Sequence, residues 1–279
     1  IRFTHVKSIL EKVDVLDLQE THDNGGMDSE YLEKINVSKF TAFRAPLNGA
    51  SGGILIWIRL VYLALFASHW YEVISLGRIL AVVCEHSALT VIFICIHLQA
   101  GTDDEKILML TAILTFLRRF VRYQVFIFGD FNFVVDPEDR VRLSDGIPIG
   151  APCKVAKFWL SHFAHLAEMY QGSATRYPNT LFRDESESAH LDKKSCSRID
   201  RIYFSKDMET TFLLDLHCAT FGNLPNSWLS DHLAVIADAG YRAKPKGVPI
   251  IPHFVCKHQL FFKVIDNICS DFKFSSCCF

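Results

Sequence analysis

The sequence predicts an α/β or α+β sandwich rather than a doubly wound sheet. Runs of β-branched and aromatic residues mark several buried strands, two segments carry helical signals, and the two kinds of element do not alternate strictly. Of the 279 residues, 50% are hydrophobic and 22% are charged. This composition is typical of a globular protein with a sizeable core and excludes a largely disordered chain.

Apolar segments in the first half of the chain predict four strands. They are residues 13–20, 54–58, 78–84 and 89–98. The first alternates apolar and polar residues and ends in Glu20, so we expect it to deliver that carboxylate to the edge of a sheet. Gly52 and Gly53 mark a turn or a close backbone approach before the second strand.

Two helices are predicted. Thr102 and Glu105 fit a capping box, and an apolar stripe that includes Val121 continues the first helix to about Arg122. The second helix is predicted over residues 154–170, and we interpret its His-x-x-His-x-x-Glu pattern as a helix surface rather than a metal site. The remaining predicted strands are residues 124–131, 198–205 and 232–239.

Charge and cysteine content limit the function classes. The net charge of −2 and a sequence pI of about 6.7 exclude a basic coat, so any nucleic-acid contact must come from local patches. Nine cysteines without a C-x-x-C repeat indicate a reducing, intracellular environment, and no secretory signal is visible. Residues 54–67 are too short for a membrane span, and we expect two buried strands with a turn there.

The composition changes near residue 241, where Pro and Lys become frequent. We therefore predict one domain over residues 1–240 and a linker or tail over residues 241–279.

Five short motifs lie at predicted strand ends or in the adjoining loops. They are LQET (18–21), IHLQA (96–100), GDFN (129–132), RIDRIY (198–203) and SDH (230–232). Strand ends that share an edge can converge on one site. Phosphodiester hydrolysis requires carboxylate ligands for a hard cation, an oriented water and a group that contacts the phosphate. The candidates for these roles are Glu20 and Asp231 for the metal, Asp130 and Asn132 for the water, and His97 and His232 for the phosphate.

The ordered set of motifs resembles the endonuclease/exonuclease/phosphatase superfamily, the group of deoxyribonuclease I, over residues 13–239. The resemblance implies a four-layer sandwich of two packed mixed β-sheets flanked by helices. It also implies a Mg²⁺ cofactor, with Mn²⁺ as the alternative ion. Asp200 resembles the acid that pairs with and orients His232, while Thr175 and Ser230 resemble supporting polar residues near the phosphate.

Within the superfamily, SRIDRIYFS and GDFNFV with the following D-x-x-D-R (136–140) are most similar to a non-LTR retrotransposon endonuclease. This resemblance implies DNA as the partner, a nick that leaves a 3′-hydroxyl, a nuclear location and no membrane association. It also leaves open a fusion to a reverse transcriptase beyond the tail. We expect Arg198 and Arg201, which flank Asp200, and Arg176 to contact phosphates of the substrate.

One departure from the family leaves alternatives open. The family begins with a strand that carries an asparagine in a W-N-x-x-G pattern, whereas residues 1–12 resemble the helix that follows it, so the first strand is apparently missing. One alternative is a phosphodiesterase with another substrate, such as a sphingomyelinase-like enzyme, which the IHLQA motif suggests. The other is an inactive remnant of a decayed retroelement.

Overall fold

The computed structural model of the chain confirms the predicted mixture of packed sheets and few helices. It describes residues 6, 9–22, 39–46, 52–87, 89–142, 144–169, 181–183, 195–208, 214–221, 232 and 234–241. Two sheets pack face to face, and helices cover the outer face of the larger one.

The larger sheet has six strands. They are β4 (Ser68–Ser75), β5 (Ile79–His86), β6 (Leu89–His97), β7 (Tyr123–Asp130), β9 (Leu166–Glu168) and β12 (Asp200–Ser205). Their order in the sheet is β4-β5-β6-β7-β12-β9. Only the β6–β7 pair is parallel, and the other pairs are antiparallel. The predicted strands at 78–84, 89–98, 124–131 and 198–205 are therefore confirmed within one or two residues.

The smaller sheet has three antiparallel strands, β1 (Val15–Gln19), β2 (Phe40–Ala45) and β3 (Ile54–Arg59). Strand β3 lies between the other two. Ile54, Ile56 and Ile58 of β3 pack against alternate residues of β5 and β6, such as Val82 and Phe93, to form the core between the sheets. The opposite face of β3 packs with Leu10 and Phe40, which adds a further apolar layer.

The α-helices whose full bounds are described are α1 (Leu60–Leu63), α2 (Asp103–Leu117) and α3 (Lys154–His162). The Thr102 side chain accepts a hydrogen bond from the Glu105 amide and the Glu105 carboxylate accepts one from the Thr102 amide, which confirms the predicted capping box. Leu110 of α2 and Trp159 of α3 pack on the outer face of the six-stranded sheet.

Two further sheets complete the described part of the chain. One pairs β8 (Arg140–Arg142), β11 (Ser195–Ser197) and β10 (Leu181–Arg183), and the other pairs β13 (Leu214–Phe221) with β14 (Ala234–Tyr241). No helix in the described ranges is long and apolar enough to cross a membrane. The predicted tail lies outside the described residues from residue 242 onward.

Three predictions about individual elements are wrong. The second helix ends at His162 because residues 166–168 pair with β12 instead. Residues 54–67 form one strand followed by α1, not two strands. Helix α2 ends at Leu117, so Val121 lies beyond the apolar stripe and is 99% exposed.

Among the described residues β1 pairs only with β3, and β14 pairs only with β13.

Candidate functional site

Strand register brings three candidate residues into one row across the six-stranded sheet. His97 is opposite Asp130 in the parallel β6–β7 pair, and Asp130 is opposite Asp200 in the antiparallel β7–β12 pair. Neighbouring strands are about 4.8 Å apart, and opposite residues project from the same face. Phe93 and Phe128 lie in the core between the two packed sheets. Every second residue of a strand projects from the same face, so His97 and Asp130 share that face, which is directed toward the sheet of β1, β2 and β3.

The glycine of GDFN is required by the close approach of β6 and β7. Gly129 has φ of +126°, and a Cβ atom there would lie 2.1 Å from the Ile96 carbonyl oxygen. Only glycine tolerates both the conformation and the contact, so Gly129 lets the chain carry Asp130 into the row.

Asp130 is buried, and its surroundings disfavour the charged form of its carboxyl group. It is 7% exposed, and burial followed by the Asp200 carboxylate raises the pKa of Asp130 to about 7. Its Oδ1 accepts a hydrogen bond of 2.7 Å from the Asn132 amide. Asn132 itself has φ of +47°, and its carbonyl oxygen accepts a 2.7 Å bond from buried Lys106 of α2. A carboxyl group with a pKa near neutrality is suited to accept a proton during catalysis.

Glu20 follows β1 in a left-handed backbone conformation, with φ of +51°. The next two amides, of Thr21 and His22, donate to the carbonyl oxygens of Gly53 and Gly52, which holds this turn against the start of β3. The Glu20 side chain is 56% exposed, and its Oε1 lies 3.6 Å from His97 Nε2. A strained non-glycine conformation that presents an accessible carboxylate is common at functional sites.

Asp200 and His232 form the pair that the family resemblance implied. The Asp200 Oδ2 and His232 Nδ1 atoms are 2.9 Å apart, and both side chains are partly buried. A carboxylate only accepts hydrogen bonds, so it places a proton on Nδ1 and leaves Nε2 to face other groups.

His97 has a neighbour that the motifs did not reveal. Arg78 Nη1 lies 3.0 Å from His97 Nδ1, and the Arg78 carbonyl oxygen accepts a 2.8 Å bond from the His97 amide. Burial, followed by the charge of Arg78, lowers the pKa of His97 to about 4. The available signal was the short connection between the predicted strands 78–84 and 89–98. Consecutive strands usually lie side by side, and an antiparallel pair would bring the start of the first strand beside the end of the second.

Asp17 is a second missed residue. It shares the inward face of β1 with Gln19, whose amide donates to the Asp17 carboxylate, and the Cys95 thiol donates to the same carboxylate over 3.5 Å. Burial raises the pKa of Asp17 to about 6. An acidic residue at an inward position of an alternating strand was the signal in the sequence.

The expectation that Arg198 and Arg201 contact substrate phosphates is wrong. Both are almost fully buried and form ion pairs with Asp139 and Glu168. The Asp139 carboxylate, 1% exposed, also accepts hydrogen bonds of 2.8 Å from the amides of Val135 and Asp136. We call Asp139, Glu168, Arg198 and Arg201 the buried ion cluster. It ties the loop after β7 to β9 and to the start of β12. Arg176 lies outside the described residues.

The side chains present are compatible with a bound Mg²⁺ ion. The described residues contain no group of three His, Cys, Asp or Glu side chains arranged to hold a metal. Mg²⁺ in phosphoryl-transfer sites usually binds one or two carboxylates together with waters and substrate oxygens, and Glu20 provides one accessible carboxylate. The other predicted ligand, Asp231, and the supporting residues Thr175 and Ser230 lie outside the described residues.

A family model described as Endonuclease/Exonuclease/phosphatase family matches residues 1–232. No match was found among curated protein sequences. One similar solved structure is a variant of the 3′ phosphatase NExo from Neisseria bound to product DNA hairpin, with 17% identity, a TM-score of 0.61 and coverage of 86% of this chain and 94% of that chain.

TDP2 is also similar in structure. The D. rerio protein, complexed with single strand DNA product, has 19% identity and a TM-score of 0.56, and the match covers 85% of this chain and 90% of that chain. The C. elegans protein has 16% identity and a TM-score of 0.56, with coverage of 86% of this chain and 69% of that chain. These likenesses establish the fold.

Proposed function

Because the chain belongs to the Endonuclease/Exonuclease/phosphatase family, we propose that it is a metal-dependent phosphodiesterase that nicks DNA and leaves a 3′-hydroxyl end. The observation that carries the proposal is the row of His97, Asp130 and Asp200 in register, with Glu20 and His232 beside it. This arrangement provides the acceptor for a proton, the donors for a phosphate and a carboxylate for a cation at one sheet edge.

Each side chain has a distinct role in this proposal. Asp130 orients the attacking water and accepts its proton, since its pKa of about 7 permits both protonation states near neutrality. Asp200 orients His232, and His97 and His232 contact the phosphate from either side of Asp130. Glu20, with Asp231, holds the ion. When bound, Mg²⁺ supplies positive charge that offsets the negative charge developing on the phosphate oxygens.

Two considerations favour DNA as the substrate. Two of the similar structures contain DNA products. A lipid-cleaving enzyme requires an apolar or anchoring surface, and the long apolar strands here are buried in the core. The retroelement-like motifs add the proposal that the 3′-hydroxyl at the nick primes reverse transcription.

The test is cleavage of supercoiled plasmid by the full chain in Mg²⁺. We expect conversion to the nicked form, extension of the nick by a DNA polymerase, and slower cleavage as salt rises, because phosphate contacts weaken with salt. Glu20→Ala and Asp130→Ala should each reduce the rate by about 10²-fold or more. Glu72→Ala is the matched control, since Glu72 pairs with Arg119 on the surface.

Other outcomes identify the alternatives. A folded protein that leaves plasmid intact but hydrolyses sphingomyelin would replace the endonuclease proposal with the IHLQA-based one. A folded protein that cleaves neither substrate in Mg²⁺ or Mn²⁺ would indicate an inactive remnant.

A further inference from the structure

Lys106 is a buried lysine near the start of helix α2. It follows the capping box of Thr102 and Glu105, and its amide donates to the Thr102 carbonyl oxygen over 3.3 Å. The residue is only 7% exposed, although lysine is almost never fully buried unless its charge is paired. Within the described ranges no carboxylate forms an ion pair with it, and its ammonium group donates a 2.7 Å hydrogen bond to the Asn132 carbonyl oxygen. Burial of such a charge is costly, which favours a role at the loop that Lys106 reaches.

The bond holds the backbone of a residue in an unfavourable conformation. Asn132 has φ of +47°, and both of its backbone groups are bonded. Its amide donates to Asp130 Oδ1 over 2.7 Å, and its carbonyl oxygen accepts the bond from Lys106. Asparagine tolerates the left-handed conformation better than most residues, but such a conformation persists only where the surroundings impose it. The two bonds therefore determine the direction in which the Asn132 side chain leaves the chain.

Lys106 approaches this loop from the outer face of the six-stranded sheet. Leu110, which lies on the same side of α2 as Lys106, packs there in one cluster with Phe131 and Phe133. The row of site residues lies on the opposite face, toward the smaller sheet. Lys106 thus supports the loop from the side away from the row, where it does not contact a phosphate bound at the row.

We propose that Lys106 is a positioning residue that holds Asn132 in the orientation that the site requires. This inference rests on the proposed function, in which Asp130 orients the attacking water. With its carbonyl oxygen bound to Lys106, Asn132 keeps its amide on Oδ1 of Asp130 and its side chain at the end of β7. Oδ2 of Asp130 is then left to bind the water, and the Asn132 side chain is held beside it.

The Asn132 carbonyl group can be observed by itself in the full chain. Asn132–Phe133 is the one place in the sequence where asparagine precedes phenylalanine. Asparagine labelled with ¹³C at the carbonyl and phenylalanine labelled with ¹⁵N therefore give a single signal in a carbonyl–amide correlation spectrum. A carbonyl carbon resonates at higher frequency when its oxygen accepts a strong hydrogen bond, so this signal reports the contact with Lys106.

We expect this signal to move to lower frequency in Lys106→Met, which removes the donor at nearly constant volume. It should stay near its wild-type position in Lys106→Arg, which retains a cationic donor. Lys154→Met is the control, because Lys154 is exposed and pairs with Asp104 on the surface. That variant should leave the signal unchanged.

Plasmid nicking measures the consequence for the reaction. Lys106→Met should lower kcat by about 10- to 100-fold, the effect of one hydrogen bond to a charged group, with little change in KM because Lys106 does not contact the substrate. Lys106→Arg should recover part of the loss. In an Asn132→Ala background, Lys106→Met should have a much smaller further effect, because the side chain that it positions is absent.

Two results would overturn the inference. One is an unchanged Asn132 carbonyl signal in Lys106→Met. The other is an equal loss of kcat from Lys106→Met with and without the Asn132 side chain, since a merely structural lysine acts independently of Asn132. If the full chain nicks no DNA, the proposed function fails, and the carbonyl signal still decides whether Lys106 holds Asn132.

Discussion

Asp200 and the two arginines that flank it belong to regions with opposite electrostatics, although they are neighbours in the chain. In the buried ion cluster, Asp139 and Glu168 each contact both Arg198 and Arg201. Burial alone would raise the pKa of Asp139, but the two guanidinium groups hold it below its usual value. At the site, Asp130 and Asp200 face each other, and the pKa of Asp130 is raised to about 7.

The difference shows how one strand serves two purposes. Carboxylates whose charges are matched by buried cations fix the position of a segment, and removal of one partner is costly. Carboxylates that repel one another are a cost to the fold and are retained where a cation or a proton is to be bound. Three predictions test this division.

The largest effect is expected for Asp200→Asn on turnover. Asparagine retains an acceptor for His232 but no longer favours its charged form, so kcat should fall by about 10²- to 10⁴-fold. The melting temperature should be unchanged or slightly raised, because a repulsion with Asp130 is removed. Plasmid cleavage and a thermal melt measure the two effects. A loss of stability as large as that expected for Asp139→Asn would contradict the distinction between a stabilising ion cluster and a functional site.

Asp139→Asn should mainly affect stability. Neutralising this buried carboxylate leaves two guanidinium groups incompletely paired, which should cost about 3–5 kcal/mol in the free energy of unfolding. Urea denaturation measures the change. The control is Asp145→Asn, which breaks an exposed pair with Arg142 and should change stability by less than about 1 kcal/mol. Equal effects of the two variants would show that the cluster contributes no more than a surface pair.

A smaller effect is expected for Asp17→Asn, and it should depend on pH. The folded-state pKa of Asp17 is about 6, above its ordinary value of 3.8, so the native state holds the proton more tightly. The stability contributed by this group is present below pH 4 and is lost as pH rises through 6. Above pH 7 the variant should be more stable by about 3 kcal/mol, at 1.36 kcal/mol per pKa unit.

Thermal melts of the wild type and Asp17→Asn between pH 4 and pH 8 provide this test. The two stability curves should separate between pH 4 and pH 6. A difference that is the same at every pH would show that Asp17 does not titrate in the folded protein.

Strands with uniform apolar patterns were predictable, since burial on both faces determines them. The strand before GDFN is an example. The strand that ends near Glu20 was predicted instead from its alternation of apolar and polar residues. The second helix was overextended because its apolar pattern continues through Phe163 and Leu166. At Leu166 the pairing with β12 overrides the local pattern.

The motifs supplied most residues of the proposed site, but they could not indicate the electrostatic partners of those residues. Asp139 and Arg201 pair across 62 positions, and Arg78 reaches His97 across 19. Local pattern reveals neither contact, because each depends on strand register and on the path of a loop. The same limit explains why Arg198 and Arg201 were interpreted as substrate contacts, since a basic residue beside a catalytic motif has the same sequence pattern in either role.

The separation in sequence of the site residues has a consequence for the kinetics of folding. Glu20 lies at the end of the first described strand, while His232, the partner of Asp200, comes after β13. Contacts between distant segments require closure of long loops and form slowly. On the ribosome, a nascent chain that has emerged only as far as β7 already carries Asp130 but not Asp200 or His232. The proposed site is therefore completed late in synthesis, after most of the core strands are available.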